Sequence, residues 1–166
     1  LIRLADYVNL NDEWICDFGF VLDGKKWSEA WFDSDFDTAK RFAVFGRTKG
    51  GGLFAFSKQL PQSLSGAQIV YLASECVGST VVATNLREWL SCIAFGSSDY
   101  ELDIQYALED EWEGPEHNSV ELQKFREWCK KTLDVDPTSS PSGVIRTASQ
   151  NSPSLIEYIE RWQAMR

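Results

Sequence analysis

The chain has 166 residues, 43% of them hydrophobic, and a formal net charge of −9. That length suits one domain, and that apolar content is enough for a packed core, which excludes disorder as the reading of the whole. No window reaches the ~18 apolar residues of a membrane-spanning helix, no basic-then-apolar leader opens the sequence at Leu1, and the acidic balance disfavours nucleic acid and anionic membranes as partners. The sequence starts without methionine, as a chain trimmed at its start would, and its expected setting is the cytoplasm.

In chain order, Trp14 to Leu22 alternates, with Cys16, Phe18, Phe20 and Leu22 on one side, as a half-buried strand does. Asp23-Gly24 is a two-residue turn signal, and Trp27, Glu29 and Trp31 alternate after it, so a hairpin is predicted across Trp14–Phe32. Asp33 to Asp37 reads as a turn, and Phe42-Ala43-Val44-Phe45 fits a strand or a short helix equally well. Gly50-Gly51-Gly52 then leads into a strand, Leu53-Phe54-Ala55-Phe56, with further strands at Ile69–Leu72 and Val81–Ala83 separated by turn residues.

The periodicity changes at Asn85. Asn85 with Glu88 makes a capping-box pair, and Leu86, Trp89, Leu90 and Ile93 recur at helical spacing up to Gly96. A second helix is predicted within Glu101–Trp112 and a third from Asn118 through Leu122, Phe125, Cys129 and Leu133. Asp134 to Pro153, rich in Ser, Thr and Pro, reads as a mobile connector. Ser154-x-x-Glu157 opens a last helix whose Leu155, Ile159 and Trp162 form an apolar stripe expected to pack back. Strands before helices predict an α+β fold, a largely antiparallel sheet with helices packed on one side. The expected organisation is one domain over 1–133, a connector over 134–153 and a docked terminal helix over 154–166.

Candidate chemistry is sparse. The four cysteines, Cys16, Cys76, Cys92 and Cys129, form no C-x-x-C pair and there is one histidine, His117, so no metal is expected, and Cys92 and Cys129 read as buried hydrophobes. Gly50-x-Gly52-x-x-Ala55 formally matches a dinucleotide fingerprint, but that mechanism needs a helix opening at the glycines and the residues after them read as strand. A turn or bulge needing φ > 0 is the better use of these glycines, and no cofactor is expected. There is no nucleophile elbow, and chance carboxylate pairs are easy in so acidic a chain, so no catalytic residue is assigned.

The acidity is local. Glu88, Asp99, Glu101, Asp103, Glu109, Asp110, Glu111, Glu113, Glu116 and Glu121 fall in a span without Lys or Arg, a charge of −10 that leaves about +1 for everything else. A solvated face that keeps the protein soluble is one reading of such a run. The other is a partner surface, because Tyr100, Tyr106 and Trp112 are interleaved, and aromatic rings beside carboxylates supply buried area while the charges steer.

The series Gly51-Gly52-Leu53-Phe54-Ala55-Phe56, Val70-Tyr71-Leu72, Glu75, Val82-Ala83 and Leu86-x-x-Trp89-Leu90 resembles the core of the SMI1/KNR4-type (SUKH) superfamily. The resemblance covers roughly a third of the chain and its motifs mark a fold rather than a catalyst. The N-terminal helix usual in that family is not evident in Leu1–Asn11, and the Ser/Pro segment with a final helix is additional. The resemblance implies a non-catalytic immunity protein that neutralizes a cognate, basic nuclease toxin; the expected state is a monomer or weak homodimer. Asp99, Glu101, Asp103, Glu109, Asp110, Glu111, Glu113 and Glu116 would be its negative face, with Tyr106 and Trp112 as anchors. A regulatory scaffold of the same family, and an enzyme using carboxylates, are the alternatives.

Overall fold

The computed structural model describes residues 4, 7, 20–22, 31–32, 35–48, 50–58, 66–74, 78–96, 104 and 119–165. Among them, five strands follow one another in space as they do in sequence: β1 (Phe20–Leu22), β2 (Phe42–Thr48), β3 (Leu53–Ser57), β4 (Ile69–Leu72) and β5 (Thr80–Ala83), every neighbour antiparallel. Among the described residues, the helices whose bounds are fixed are a short one before β2, α1 (Phe36–Ala39), and, after the sheet, α2 (Leu86–Phe95), α3 (Val120–Leu133), α4 (Pro141–Gln150) and α5 (Pro153–Ala164). The α+β class with an antiparallel sheet is as the sequence predicts.

The coverage of the sheet is not. All residues of β3, β4 and β5 are buried, so both faces are packed instead of one. Phe54, Phe56, Ile69, Tyr71 and Val82 face a core shared with Trp89, Ile93, Leu122, Phe125 and Cys129 of α2 and α3. Leu53, Ala55, Val70, Leu72 and Val81 face a second core closed by Phe32, Phe42 and the stripe Leu155, Ile159 and Trp162 of α5. Uninterrupted apolar strands are what two-sided burial requires, since an alternating strand would bring polar side chains to one of these cores.

The glycine hairpin works through two different demands. Thr48 accepts from the Gly51 N–H at 3.2 Å and donates its own N–H to the Gly52 carbonyl at 2.8 Å, closing the β2–β3 turn. Gly51 has φ +94, which side chains disfavour, whereas Gly52 leaves room for the Tyr71 ring, 2.5 Å from where its Cβ would stand. The β2–β3 register then slips between Val44 and Gly46, and the extra residue, Phe45, brings its ring to Phe56 (4.7 Å) and Trp89 (5.1 Å).

Three local expectations are corrected. The described part of the predicted Trp14–Phe32 hairpin pairs elsewhere: β1 lies on β2, and Trp31 is helical with Phe32 in a turn. Consecutive Trp31 and Phe32 both pack on Trp162, the first stacked and the second tilted, each with ring centroids 5.2 Å away, a sharing that the alternation of a strand opposes. The Asp134–Pro153 segment holds α4, capped by Ser140 with Pro141 in the first turn, and it packs against β5, the last strand of the sheet among the described residues. Ile145 enters the first core and Ala148 the second, so this helix bridges the two cores beside β5. Finally, α3 is capped by Ser119, one residue later than predicted, and α5 opens at Pro153.

Candidate partner interface

The acidic span joins two helices that pack on the same core. The Asn85 side chain caps α2 by accepting from the Glu88 N–H at 3.0 Å, and the Glu88 carboxylate takes the Thr84 N–H (2.9 Å) and hydroxyl (2.6 Å). Glu88 is therefore a local cap and no part of a charged face. At the other end of α2, Gly96 (φ 89) sends its N–H to the Ile93 carbonyl and releases the chain into the acidic span. Ser119 receives it, its hydroxyl accepting from the Leu122 N–H at 3.1 Å.

Two arginines hold this helix pair antiparallel. Arg126 of α3 donates to the last carbonyls of α2, Ala94 at 2.7 Å and Phe95 at 2.6 Å. Reciprocally, Arg87 of α2 donates to the last carbonyls of α3, Leu133 at 2.8 Å and also Asp134. Each guanidinium satisfies orphan acceptors at a negative helix end; net contributions of about 1.5–3 kcal/mol are typical of such charge-assisted bonds, with water screening the exposed Arg87 pair more than the part-buried Arg126 pair. The connection between α2 and α3 thus departs and returns at one end of a clamped pair. Within it, Ile104 is buried in the first core at 1% exposure, a third fixed point.

The ten predicted contact residues, Asp99, Glu101, Asp103, Tyr106, Glu109, Asp110, Glu111, Trp112, Glu113 and Glu116, lie outside the described residues, as do His117 and all but Ile104 of the helix predicted in Glu101–Trp112. What the structure fixes is the frame around them: Gly96, Ile104, Ser119 and the exposed Glu121. The clamp arginines were not singled out from sequence, because nothing in a spacing pattern tells which carbonyls an arginine will reach 31 or 47 positions away.

Elsewhere, particular groups are committed to structure. Burial pushes the Cys129 thiol up to about 12, the state of an inert core residue. The glycine turn opens a strand and not a helix, so it offers no helix N-terminus to a phosphate. Asp35, by contrast, is held below the usual carboxylate range, first by the Thr38 amide and hydroxyl and further by the Trp162 indole, which donates at 2.8 Å. That bond ties the start of α1 to α5. Among the described residues no group of three metal-binding side chains occurs, and no helix is long and apolar enough to cross a membrane.

No protein-family model, curated protein or solved structure matches the chain.

Proposed function

We propose that this protein is a non-catalytic binding protein of the immunity type, resembling the SUKH superfamily, whose acidic connection between α2 and α3 engages a basic protein partner. One observation carries the reading: eight carboxylates at positions 99–116, uninterrupted by Lys or Arg, fall in sequence between α2, whose last carbonyls Arg126 holds, and α3, with the buried Ile104 among them in the chain. Anchoring reduces the ordering cost of a contact surface, while concentrated negative charge accelerates encounter with a cationic one. The order of glycine turn, β3, β4, β5 with Val82-Ala83, and α2 also follows the series on which the family resemblance rests. A nuclease toxin, which must carry a basic substrate surface, is the partner class that fits, and the cytoplasm is where it would be neutralized.

The test compares the wild-type chain with Glu109→Lys/Asp110→Lys/Glu111→Lys as immobilised bait in lysate of the source organism. The reading expects a basic protein captured at low salt, released by high salt, and lost by the triple variant at an unchanged melting temperature. Capture that survives both high salt and the triple change would overturn it.

A further inference from the structure

A second charged feature lies at the end of the β2–β3 ladder away from the glycine turn, on residues that the proposed acidic interface does not use. The Lys58 N–H donates to the Arg41 carbonyl at 2.8 Å, which sets two exposed cationic residues opposite each other across the strands. Like charges so placed destabilise a sheet, and among the described residues neither forms an ion pair.

Arg41 is nevertheless held in place. Its guanidinium carbon sits 4.5 Å from the centroid of the Tyr158 ring, and the Tyr158 hydroxyl is hydrogen-bonded to the buried Thr38 hydroxyl at 2.9 Å. A guanidinium resting on an aromatic ring keeps the N–H fork at its rim available, oriented for an oxyanion before any ligand arrives. Among the described residues, the nearby acidic groups do not cancel it. Asp37 is already paired with Lys40 at 3.2 Å, and the Asp35 carboxylate is taken by the Asp37 and Thr38 amides and the Trp162 indole. Glu157, beside Tyr158 on α5, is exposed and forms no ion pair with Arg41.

We propose that Arg41 and Lys58 form a phosphate-binding site, with Tyr158 as the platform that orients Arg41. Two cationic residues paired through their backbones, one a planar fork and one a point charge, match a dianion better than a singly charged carboxylate.

The experiment is a titration of the isotope-labelled full chain with inorganic phosphate, and separately with O-phosphoserine, at ionic strength held constant with chloride. The readouts are the Arg41 side-chain Nε–H and Lys58 amide resonances. The site predicts saturable shifts at these two positions, weakened about tenfold in Arg41→Lys, which keeps the charge and loses the fork. It predicts similar weakening in Lys58→Gln and little change in Lys40→Gln. Tighter binding of phosphoserine would assign the anion to a phosphorylated side chain, and tighter binding of inorganic phosphate to the free ion. Shifts that do not saturate, an Arg41→Lys variant that titrates like wild type, or equal weakening by Lys40→Gln would overturn the proposal. All three substituted side chains are exposed, and melting temperatures confirm that the variants fold.

Discussion

Replacing Gly52 by alanine isolates a single contact. Gly52 is not among the described glycines with positive φ, so the substitution is steric and not conformational. The added Cβ would stand 2.5 Å from Tyr71 Cε2 and Oη and 2.7 Å from Cζ, about 1 Å inside an ordinary carbon contact. Tyr71 has little room to yield, being 5% exposed with its ring 5.5 Å from that of Phe54. Overpacking of this kind costs about 1–3 kcal/mol, and the reduced freedom of the unfolded chain offsets about 0.4–1 kcal/mol. A net loss of about 1–2 kcal/mol follows, or roughly 2–8 °C in melting temperature for a chain of this size. Urea unfolding measures it, and Tyr71→Leu supplies the control: with the ring gone, Gly52→Ala should cost about 1 kcal/mol less. Gly51→Ala should behave differently, because its nearest atom is Ser74 Cβ at a comfortable 3.5 Å and its penalty lies in φ +94. If Gly52→Ala costs the same with and without the Tyr71 ring, packing against that ring is not why glycine stands there.

Two further outcomes follow from titrating groups. With its thiol pushed up to about 12, Cys129 should resist iodoacetamide in the native protein, as should the buried Cys92, and both should react once guanidinium unfolds the chain; peptide mapping reads this directly. Asp35 titrates below its ordinary value of 3.8 in the folded state. Its contribution is therefore complete above the unfolded-state value and lost as pH falls through the lower folded one. Acid unfolding followed by Trp fluorescence should show Asp35→Asn less stable than wild type at neutral pH, with the gap closing in the acid range; a gap that persists there would assign the loss to the amide itself.

Much of the framework was legible because it is local. Asn85 with Glu88, the Leu86-to-Ile93 spacing and Gly96 define α2 almost to the residue, and the strands β3, β4 and β5 fall where the apolar runs are. The strands also carry a signal of two-sided burial: Leu53 to Phe56 and Ile69 to Leu72 do not alternate, and a sheet exposed on one face would. The α4 helix was hidden for a different reason. Its Gly143, its Ser142 and Ser149 and its β-branched residues have low helix propensity, so the element is stabilised by burying Ile145 and Ala148 against the sheet and by contacts such as Thr80 to Ser149 at 3.2 Å. Tertiary partners of that sort leave no mark in a window of ten residues. The proposed acidic interface was legible only as charge, since a run of carboxylates says where repulsion accumulates and nothing about which atoms it surrounds.

The layering bears on where a partner can dock. The α2–α3 pair occupies the first face of the sheet, α1 and α5 occupy the second, and α4 packs against β5. The apolar stripe of α5, which could have been a free contact surface, is consumed by Phe32, Phe42 and the sheet. Removing residues 134–166 to test a scaffold role would consequently strip Ile145, Ala148, Leu155, Ile159 and Trp162 from two cores, and loss of binding would report unfolding. Point charges on the α2–α3 connection avoid that confusion. They change the field that a partner senses while leaving the Arg126 clamp, Ile104 and the capped helix ends in place, so folding and recognition can be measured apart.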